Sequence, residues 1–448
     1  MVILLKRLPL TALIQKMSKL PIDGLEHMPI RSADIQKHRK WLTDNTLFKK
    51  PETLGLDRSG DNFVPGNYIG MVWLGEGKDR DVLRVDSKFS TMDYIAMYVE
   101  CLAHPKIGSR AVNCLKFWTE ENLIDITEHD EFSILTIIAY LYELNEFCRQ
   151  HMRRHFVREQ QNFVGKMKGK ILIDENTRRN IIHARPDRIY CEYQSVSDDI
   201  LENQILRTAL ERAAHYFAEY RGNKDTFDIL HQWIRTSRAA LQGVSTRKVK
   251  LSDFASTRKR GAFVFYASPL ALAKAVLQRL GPTRKQKKSQ AQTPPFALNS
   301  AQLFERYAAI KLLEDSENFS DLLLGSKIGS PDYGDFNVKV RPDFYIPGEQ
   351  ATHIIDAKYK YIDFEGMEID DNDGKHKLPQ NDLYQVIAYS QHEGLLRKIK
   401  RHDDNSIKLG LAYPDENTES VISKKQTRAF TLPLTVYGIP YPKNNKNN

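Results

Sequence analysis

Asp343, Asp356 and Lys358 are the residues whose types and spacing carry a definite chemistry. Pro342-Asp343 stands thirteen residues before Asp356-Ala357-Lys358. Two strand-like runs, Val338–Ile346 and Thr352–Ile362, are joined by Pro347-Gly348, which predicts a β-hairpin. Side chains two apart on a strand share a face, so Asp356 and Lys358 point one way while Ile355 and Ala357 face the opposite layer. Asp343 lies near the turn-proximal end of the first strand, and the hairpin brings it beside Asp356. Two carboxylates and an ammonium gathered at a sheet edge are unfavourable unless something compensates, because like charges repel and buried charges lose hydration. A hard divalent cation is the natural compensation. Mg²⁺ takes oxygen ligands and needs only one or two carboxylates, water and phosphate completing its shell, and Mn²⁺ accepts the same donors. The donors expected here are Asp343, Asp356 and the Ala357 backbone carbonyl. Such an ion polarises a phosphate and acidifies bound water, and Lys358 would assist that water and offset charge on phosphorus.

Two neighbouring segments bear on the same site. LFERYAAIKLL places Glu305 on a helix before the hairpin, and NDLYQVIAYSQ places Gln385 and Tyr389 four apart on one face of a helix after it. By its own position Glu305 reads as an ordinary exposed or salt-bridged helix residue. Gln385 is a site candidate that orients Lys358 or contacts phosphate, and Tyr389 is either core or a substrate contact. Asp382, one turn earlier, reads as an N-terminal helix carboxylate, and His353 as an edge or packing histidine. Arg185-Pro186-Asp187 repeats the tripeptide at 341–343, but Glu192 is followed two residues later by Gln194 rather than lysine. Asp187 therefore reads as a capping or surface carboxylate.

These motifs carry a resemblance. Pro342-Asp343 with Asp356-Ala357-Lys358 resembles the PD-(D/E)xK signature of restriction-type nucleases. Glu305 stands where that superfamily often has an accessory acid, which implies a catalytic and metal-ligand role for it on equal terms with the salt-bridged one, and Gln385 with Tyr389 is similar to the Q-x-x-x-Y element of the RecB-like branch. FVGKMKGKILIDENTRRN, RIYCEYQSVSDDILENQILRTAL and the series LFERY, RPDFYI, IIDAKYK, DLYQVIAYSQ look like the McrC family, the endonuclease subunits of McrBC restriction systems. The likeness runs from about residue 160 to 395, and the first 60 residues or so lie outside it. It implies a Mg²⁺-dependent endonuclease acting on double-stranded DNA that contains modified cytosine. It also implies a McrB-like AAA+ GTPase ring as partner, whose hydrolysis the N-terminal half of this chain stimulates. The residues agree on one point: GMVWLGEGKDRD departs from a P-loop, with Val72 at the first glycine position and Asp79 at the Ser/Thr position. Two other readings stay open, a catalytically silent activator or scaffold for an AAA+ ring and a stand-alone RecB-like repair nuclease.

The elements that must position these residues follow from length and pattern. A chain of 448 residues points to two or three domains, and 41% hydrophobic with 27% charged residues is ordinary for a globular protein. We divide it into a mixed α/β N-terminal domain (1–160, the AAA+ partner-binding part), a mainly helical middle section (161–280), a basic Pro/Gln-rich linker (281–297) and a nuclease domain (298–448). The fold class expected is α/β: a mixed α+β N-terminal half, a helical middle section and a C-terminal PD-(D/E)xK restriction-endonuclease-like α/β domain. In the first part, YIGMVWLGEG and DVLRVDSKF read as strands around a turn. EFSILTIIAYLYELNEFCRQHMRRHF reads as a helix burying Leu135, Ile138, Leu141 and Leu144. The net charge of +9 is gathered at Arg247–Lys250, Arg258–Arg260, Arg284–Lys288 and Arg397–His402, which favours a polyanionic partner. Four scattered cysteines form no Cys-x-x-Cys pair and read as core thiols. No run reaches the roughly 20 apolar residues of a membrane span, and Lys6 and Arg7 interrupt the apolar N-terminus. A cytoplasmic protein with no membrane partner is expected.

Overall fold

The computed structural model describes residues 21–30, 33–45, 47–77, 79–119, 121, 123–126, 134–218, 223–279, 291–315, 323–324, 342–346, 351–362, 364, 378–391, 406–416, 422–429 and 432–444. The basic runs at 284–288 and 397–402, the Pro347-Gly348 turn and the strand-like residues 338–341 lie outside them. The chain packs into two compact units, Met1–Ile124 with Pro295–Asn448, and Asp125–Pro294.

In the first unit, a five-stranded sheet runs in the order Ile22–Leu25, Asp81–Asp86, Tyr68–Leu74, Phe296–Asn299, Leu115–Phe117. Tyr68–Leu74 and Asp81–Asp86 pair antiparallel, as their alternating apolar pattern predicts, and bury Ile69, Leu74, Leu83 and Val85. Phe296–Asn299 enters between strands more than 170 residues earlier in sequence, with Phe296 opposite Met71 on one side and Phe117 on the other. Packing thus groups the chain differently from the linear segmentation above. The last residues of the expected linker begin a central strand, because Phe-Ala-Leu after Pro294-Pro295 is apolar enough to be wholly buried. Gly70 makes room for it. A Cβ there would stand 2.4 Å from the Phe296 carbonyl oxygen, and its φ of +146° suits only glycine.

A six-stranded sheet completes this unit, in the order Leu323–Leu324, Phe344–Ile346, Ala351–Ala357, Ser406–Asp415, Leu432–Pro440, Ser423–Ala429. The three central strands from Ala351 to Pro440 run parallel, and the flanking ones are antiparallel. One face carries Tyr345, Ile354, Leu409, Leu411, Leu434 and Val436 into a core closed by helix Gln380–Ser390. Helix Ser300–Asp315 packs against helix Tyr94–Ala103 and against the Ala351–Ala357 strand. Asp93 begins Tyr94–Ala103 by accepting the Ala96 amide at 2.9 Å, a side-chain N-cap.

The second unit holds helices Leu135–Gln150, Leu201–Ala218, Lys224–Ala240 and Ala267–Arg279. Leu135, Ile138, Leu141 and Leu144 are all buried, as their spacing predicts. Gly261–Gln278 has the length and apolar character of a membrane span, yet Phe263, Tyr266, Ala273 and Val276 are buried. Ala267–Arg279 packs on Leu135–Gln150 and Leu201–Ala218, as a core helix does. The section from 161 to 280 is not helical throughout. His155–Val164, Lys170–Ile171 and Arg188–Ser197 form a three-stranded antiparallel sheet, whose two long strands pair Arg188 with Val164 through Ser197 with His155.

Candidate active site

The hairpin register fixes the first two site residues. Phe344 pairs with Ile355, Tyr345 with Ile354 and Ile346 with His353. Continuing that register by one step sets Asp343 opposite Asp356, and residues directly opposite share a face. That face is the one on which Tyr345 and Ile354 enter the core beneath helix Gln380–Ser390. Asp356 is 2% exposed. Asp343 Oδ2 accepts the Ala357 backbone N–H at 2.8 Å, which holds the carboxylate against the neighbouring strand. Ile355 is buried on the other face, and half-buried His353 shares it, its pKa lowered by burial and by Lys408. His353 is thus a packing residue, on the face away from the aspartates.

Lys358 lies just past the strand, which ends at Ala357 rather than continuing to Ile362. The reason is Pro414. The Lys358 amide still donates to the Ala412 carbonyl at 2.7 Å, the last rung of the parallel ladder. The next rung would need an N–H at position 414, which proline lacks. The Lys358 carbonyl instead accepts the Lys360 amide at 2.9 Å, and the chain turns away. The Lys358 side chain stays with the site. Its Nζ forms an ion pair with Asp356 Oδ2 and donates to Gln385 Oε1 at 2.6 Å. Gln385 Nε2 in turn donates to the Tyr389 hydroxyl, which reaches Asp356 Oδ1 at 3.4 Å. Gln385 and Tyr389 share one helix face, as their four-residue spacing predicts, and that face is turned to the site. Tyr389 is both buried core and a site neighbour.

Electrostatics mark the site as short of positive charge. The Asp343 carboxyl is held well above its usual pKa by burial, by Asp356 and by Glu305, against the opposing pull of the Ala357 amide and Lys358. Glu305, on helix Ser300–Asp315, is likewise raised by burial and by Asp356, although Arg306 lowers it. Glu305 is ion-paired to Arg306 at 2.6 Å. Among the described residues, no three His, Cys, Asp or Glu side chains gather closely enough to hold a metal ion. The geometry therefore unites Asp343 and Asp356 and leaves Glu305 as a charged neighbour, not a third carboxylate of one cluster. Asp382 is a structural carboxylate: it is buried and accepts Lys360 Nζ at 2.6 Å and the Tyr413 hydroxyl at 3.0 Å, tying the helix to the sheet. Asp187 is exposed, as expected of the decoy.

Gly75–Asp79 joins two antiparallel strands, whereas a phosphate-cradling loop joins a strand to a helix. Of the basic runs, Arg258 serves packing. It makes a two-pronged ion pair with buried Glu202, at 3.1 and 2.8 Å. Sequence reasoning passed over Glu26, Ser87 and Lys88, which together with Tyr94 converge on Tyr359 beside Lys358. The one local signal was the position of Tyr359, directly after the lysine.

A family model for the McrBC 5-methylcytosine restriction system component matches residues 64–396. A search of curated proteins returns no match. Among solved structures, a half-complex from the tetradecameric assembly of Thermococcus gammatolerans McrB AAA+ hexamers with bound McrC is similar at 13% identity and a TM-score of 0.42, over 94% of this chain and 95% of that one. A cryo-EM structure of the Thermococcus gammatolerans McrBC complex is similar at 16% identity and a TM-score of 0.31, over 66% of this chain and 88% of that one.

Proposed function

Because this chain belongs to the McrBC 5-methylcytosine restriction system component family, we propose that it is the McrC-type nuclease subunit of such a system, hydrolysing phosphodiester bonds in DNA. The observation that carries the reading is the convergence of Asp343, Asp356, Lys358 and Gln385, from two strands and a helix, at one buried end of the sheet. A scaffold gains nothing from holding two carboxylates in a site that raises the pKa of one of them.

The donor set fits a hard dication. Asp356 Oδ2 is buried and, among the described residues, accepts no hydrogen bond and meets the Lys358 ammonium as an ion pair. The raised Asp343 carboxyl marks a deficit of positive charge beside it. We assign Mg²⁺ to Asp343, Asp356 and the Ala357 carbonyl, with Mn²⁺ as an alternative; one or two carboxylates suffice for such an ion. When bound, it supplies Lewis acidity toward a phosphate oxygen and lowers the pKa of water. The chain's own groups do the rest. Gln385 holds the Lys358 ammonium in place, and that ammonium offsets the negative charge that builds on phosphorus. Tyr389 fixes Gln385 from behind. The Ala357 amide orients Asp343. Glu305 adds negative potential that favours a cation, without joining the two aspartates.

We further place this subunit with a McrB-like AAA+ GTPase ring and double-stranded DNA bearing modified cytosine as substrate. Family membership supports that partner, as does the departure of Gly70–Asp79 from a P-loop, since nucleoside triphosphate then binds on another chain. The test is cleavage of modified and unmodified plasmid by the wild type and by Lys358→Ala in Mg²⁺, with and without GTP and the AAA+ protein encoded alongside. Cleavage that needs the partner, GTP and Lys358 is expected. Cleavage by the chain alone would point to a repair-type nuclease. Stimulated GTP hydrolysis with no DNA product would leave a ring activator.

A further inference from the structure

We propose that Glu26, far from the nuclease motif in sequence, is a positioning residue that holds at one buried point the two elements carrying Lys358 and Glu305. This inference rests on the nuclease reading of the site.

Glu26 directly follows strand Ile22–Leu25 and is 1% exposed. Its Oε1 accepts the hydroxyl of Ser300, the first residue of the helix on which Glu305 lies. Its Oε2 accepts the Tyr359 hydroxyl at 3.2 Å and the Lys88 amide at 3.3 Å. Tyr359 is the residue after Lys358. Its hydroxyl also meets Tyr94 at 2.5 Å and Ser87 at 3.2 Å. Lys88 Nζ donates to the Tyr359 carbonyl at 2.8 Å and lies 4.3 Å from the centre of its ring. The ring stands 4.9 Å from Phe89 and 6.0 Å from Phe304, the neighbour of Glu305. One carboxylate thus grips the start of one site element and the exit of the other.

The arrangement is a poor device for stability. Burial raises the Glu26 carboxyl and lowers the Lys88 ammonium, and apolar side chains in place of a buried ionic group often serve stability as well. What such a cluster supplies is direction, through hydrogen bonds that fix the hydroxyl and ring of Tyr359. Direction is what the chain leaving Lys358 lacks from the sheet. The ladder stops at the Lys358 amide because of Pro414, so among the described residues the stretch beyond it has no strand partner to set its course. A lysine that must hold a water or a phosphate to within about half an ångström needs such support.

The test uses full-length Glu26→Ala, Glu26→Gln and Tyr359→Phe. It reads hydrogen–deuterium exchange of residues 300–306 and 356–362, and single-turnover cleavage with Mg²⁺, GTP and the AAA+ partner. Glu26→Ala should raise exchange in both segments together, with other core strands unchanged. It should lower the cleavage rate about tenfold or more, with the KM for DNA held within about twofold, on the order of what supporting residues contribute. Glu26→Gln, which keeps a carbonyl acceptor, should recover part of both. Should Glu26→Ala fail to fold, Tyr359→Phe removes only the hydroxyl and should raise exchange in 356–362 and lower the cleavage rate, while the Ser300 bond to Glu26 still holds 300–306. Exchange in Glu26→Ala that rises in one segment only, or everywhere alike, would overturn the inference, as would unchanged exchange of 356–362 in Tyr359→Phe or a change in KM alone. Wild-type cleavage without coupled exchange sinks this inference by itself. Coupled exchange in a wild type that cuts no DNA overturns instead the nuclease reading on which it rests.

Discussion

Asp343→Asn is expected to stabilise the metal-free protein while abolishing cleavage. Asp343 and Asp356 lie opposite each other by register, which puts their Cβ atoms about 5 Å apart. Two unit charges at that distance repel by roughly 3 kcal/mol at an effective dielectric of about 20. The Lys358 ammonium offsets part of this, so we expect a net gain of about 1–2 kcal/mol from removing one charge. The asparagine carbonyl still accepts the Ala357 amide, so that bond is kept. For a unit of this size the gain corresponds to a Tm rise of about 2–8 °C. The pH dependence has a definite sign. The folded-state pKa of Asp343 is raised above its unfolded value. The folded wild type therefore retains a proton that the unfolded chain has released, and it loses stability as pH rises through the folded value. The two proteins should coincide near pH 4, around the ordinary carboxylate pKa, and diverge as the solution becomes neutral. Mg²⁺ should reverse the order, because an ion that binds only the folded wild type adds about 2.7 kcal/mol at a hundredfold excess over Kd. Thermal unfolding in EDTA across this pH range, then in Mg²⁺, measures all of it. Equal or lower stability of Asp343→Asn in EDTA at neutral pH would refute the proximity of the two carboxylates. Equal stabilisation of both proteins by Mg²⁺ would refute the ligand assignment.

Three other outcomes follow. Gln385→Ala removes the acceptor that holds Lys358 and should slow cleavage about 10–100-fold with DNA affinity retained, as steady-state kinetics would show. Asp382→Ala strands the Tyr413 hydroxyl in the core; with half-exposed Lys360 discounted, it should cost about 2 kcal/mol in denaturant unfolding, and Asp382→Asn should cost less. Gly70→Ala drives a Cβ into the Phe296 carbonyl at a φ of +146° and should cost on the order of 3 kcal/mol, read from the urea midpoint.

The parts of the site that were legible in the sequence are those written in local periods. Alternation across Asp356-Ala357-Lys358 gave the face, the two strand-like runs in close succession gave the antiparallel pair, and the four-residue step from Gln385 to Tyr389 gave the helix surface. The rest depends on pairings that no local pattern contains. The strand after Ala357 was read too long because its end is set by a proline on a neighbouring strand more than 50 residues later. Phe296–Asn299 sits behind a basic, proline-rich segment, and nothing near it announces that its partners lie at 68–71 and 115–117. The sheet of 155–197 was absorbed into a helical section because its strands are largely exposed and carry little apolar alternation. Glu26 was invisible because a buried glutamate and a surface one look alike in sequence; only Tyr359 and Ser300, brought to it by the fold, tell them apart.

The insertion of Phe296–Asn299 into the N-terminal sheet also bears on how the chain is made. Strands Tyr68–Leu74 and Leu115–Phe117 leave the ribosome long before the strand that joins them, roughly 200 residues later. At about 5–20 residues per second, that leaves two unpaired edges waiting for some 10–40 s. Open edges of that kind are templates for pairing with other chains. The nascent protein is therefore most vulnerable to misassembly in the interval when its second unit is being synthesised, and slow translation or stalling between residues 125 and 294 should lower the yield of folded protein more than the same delay elsewhere.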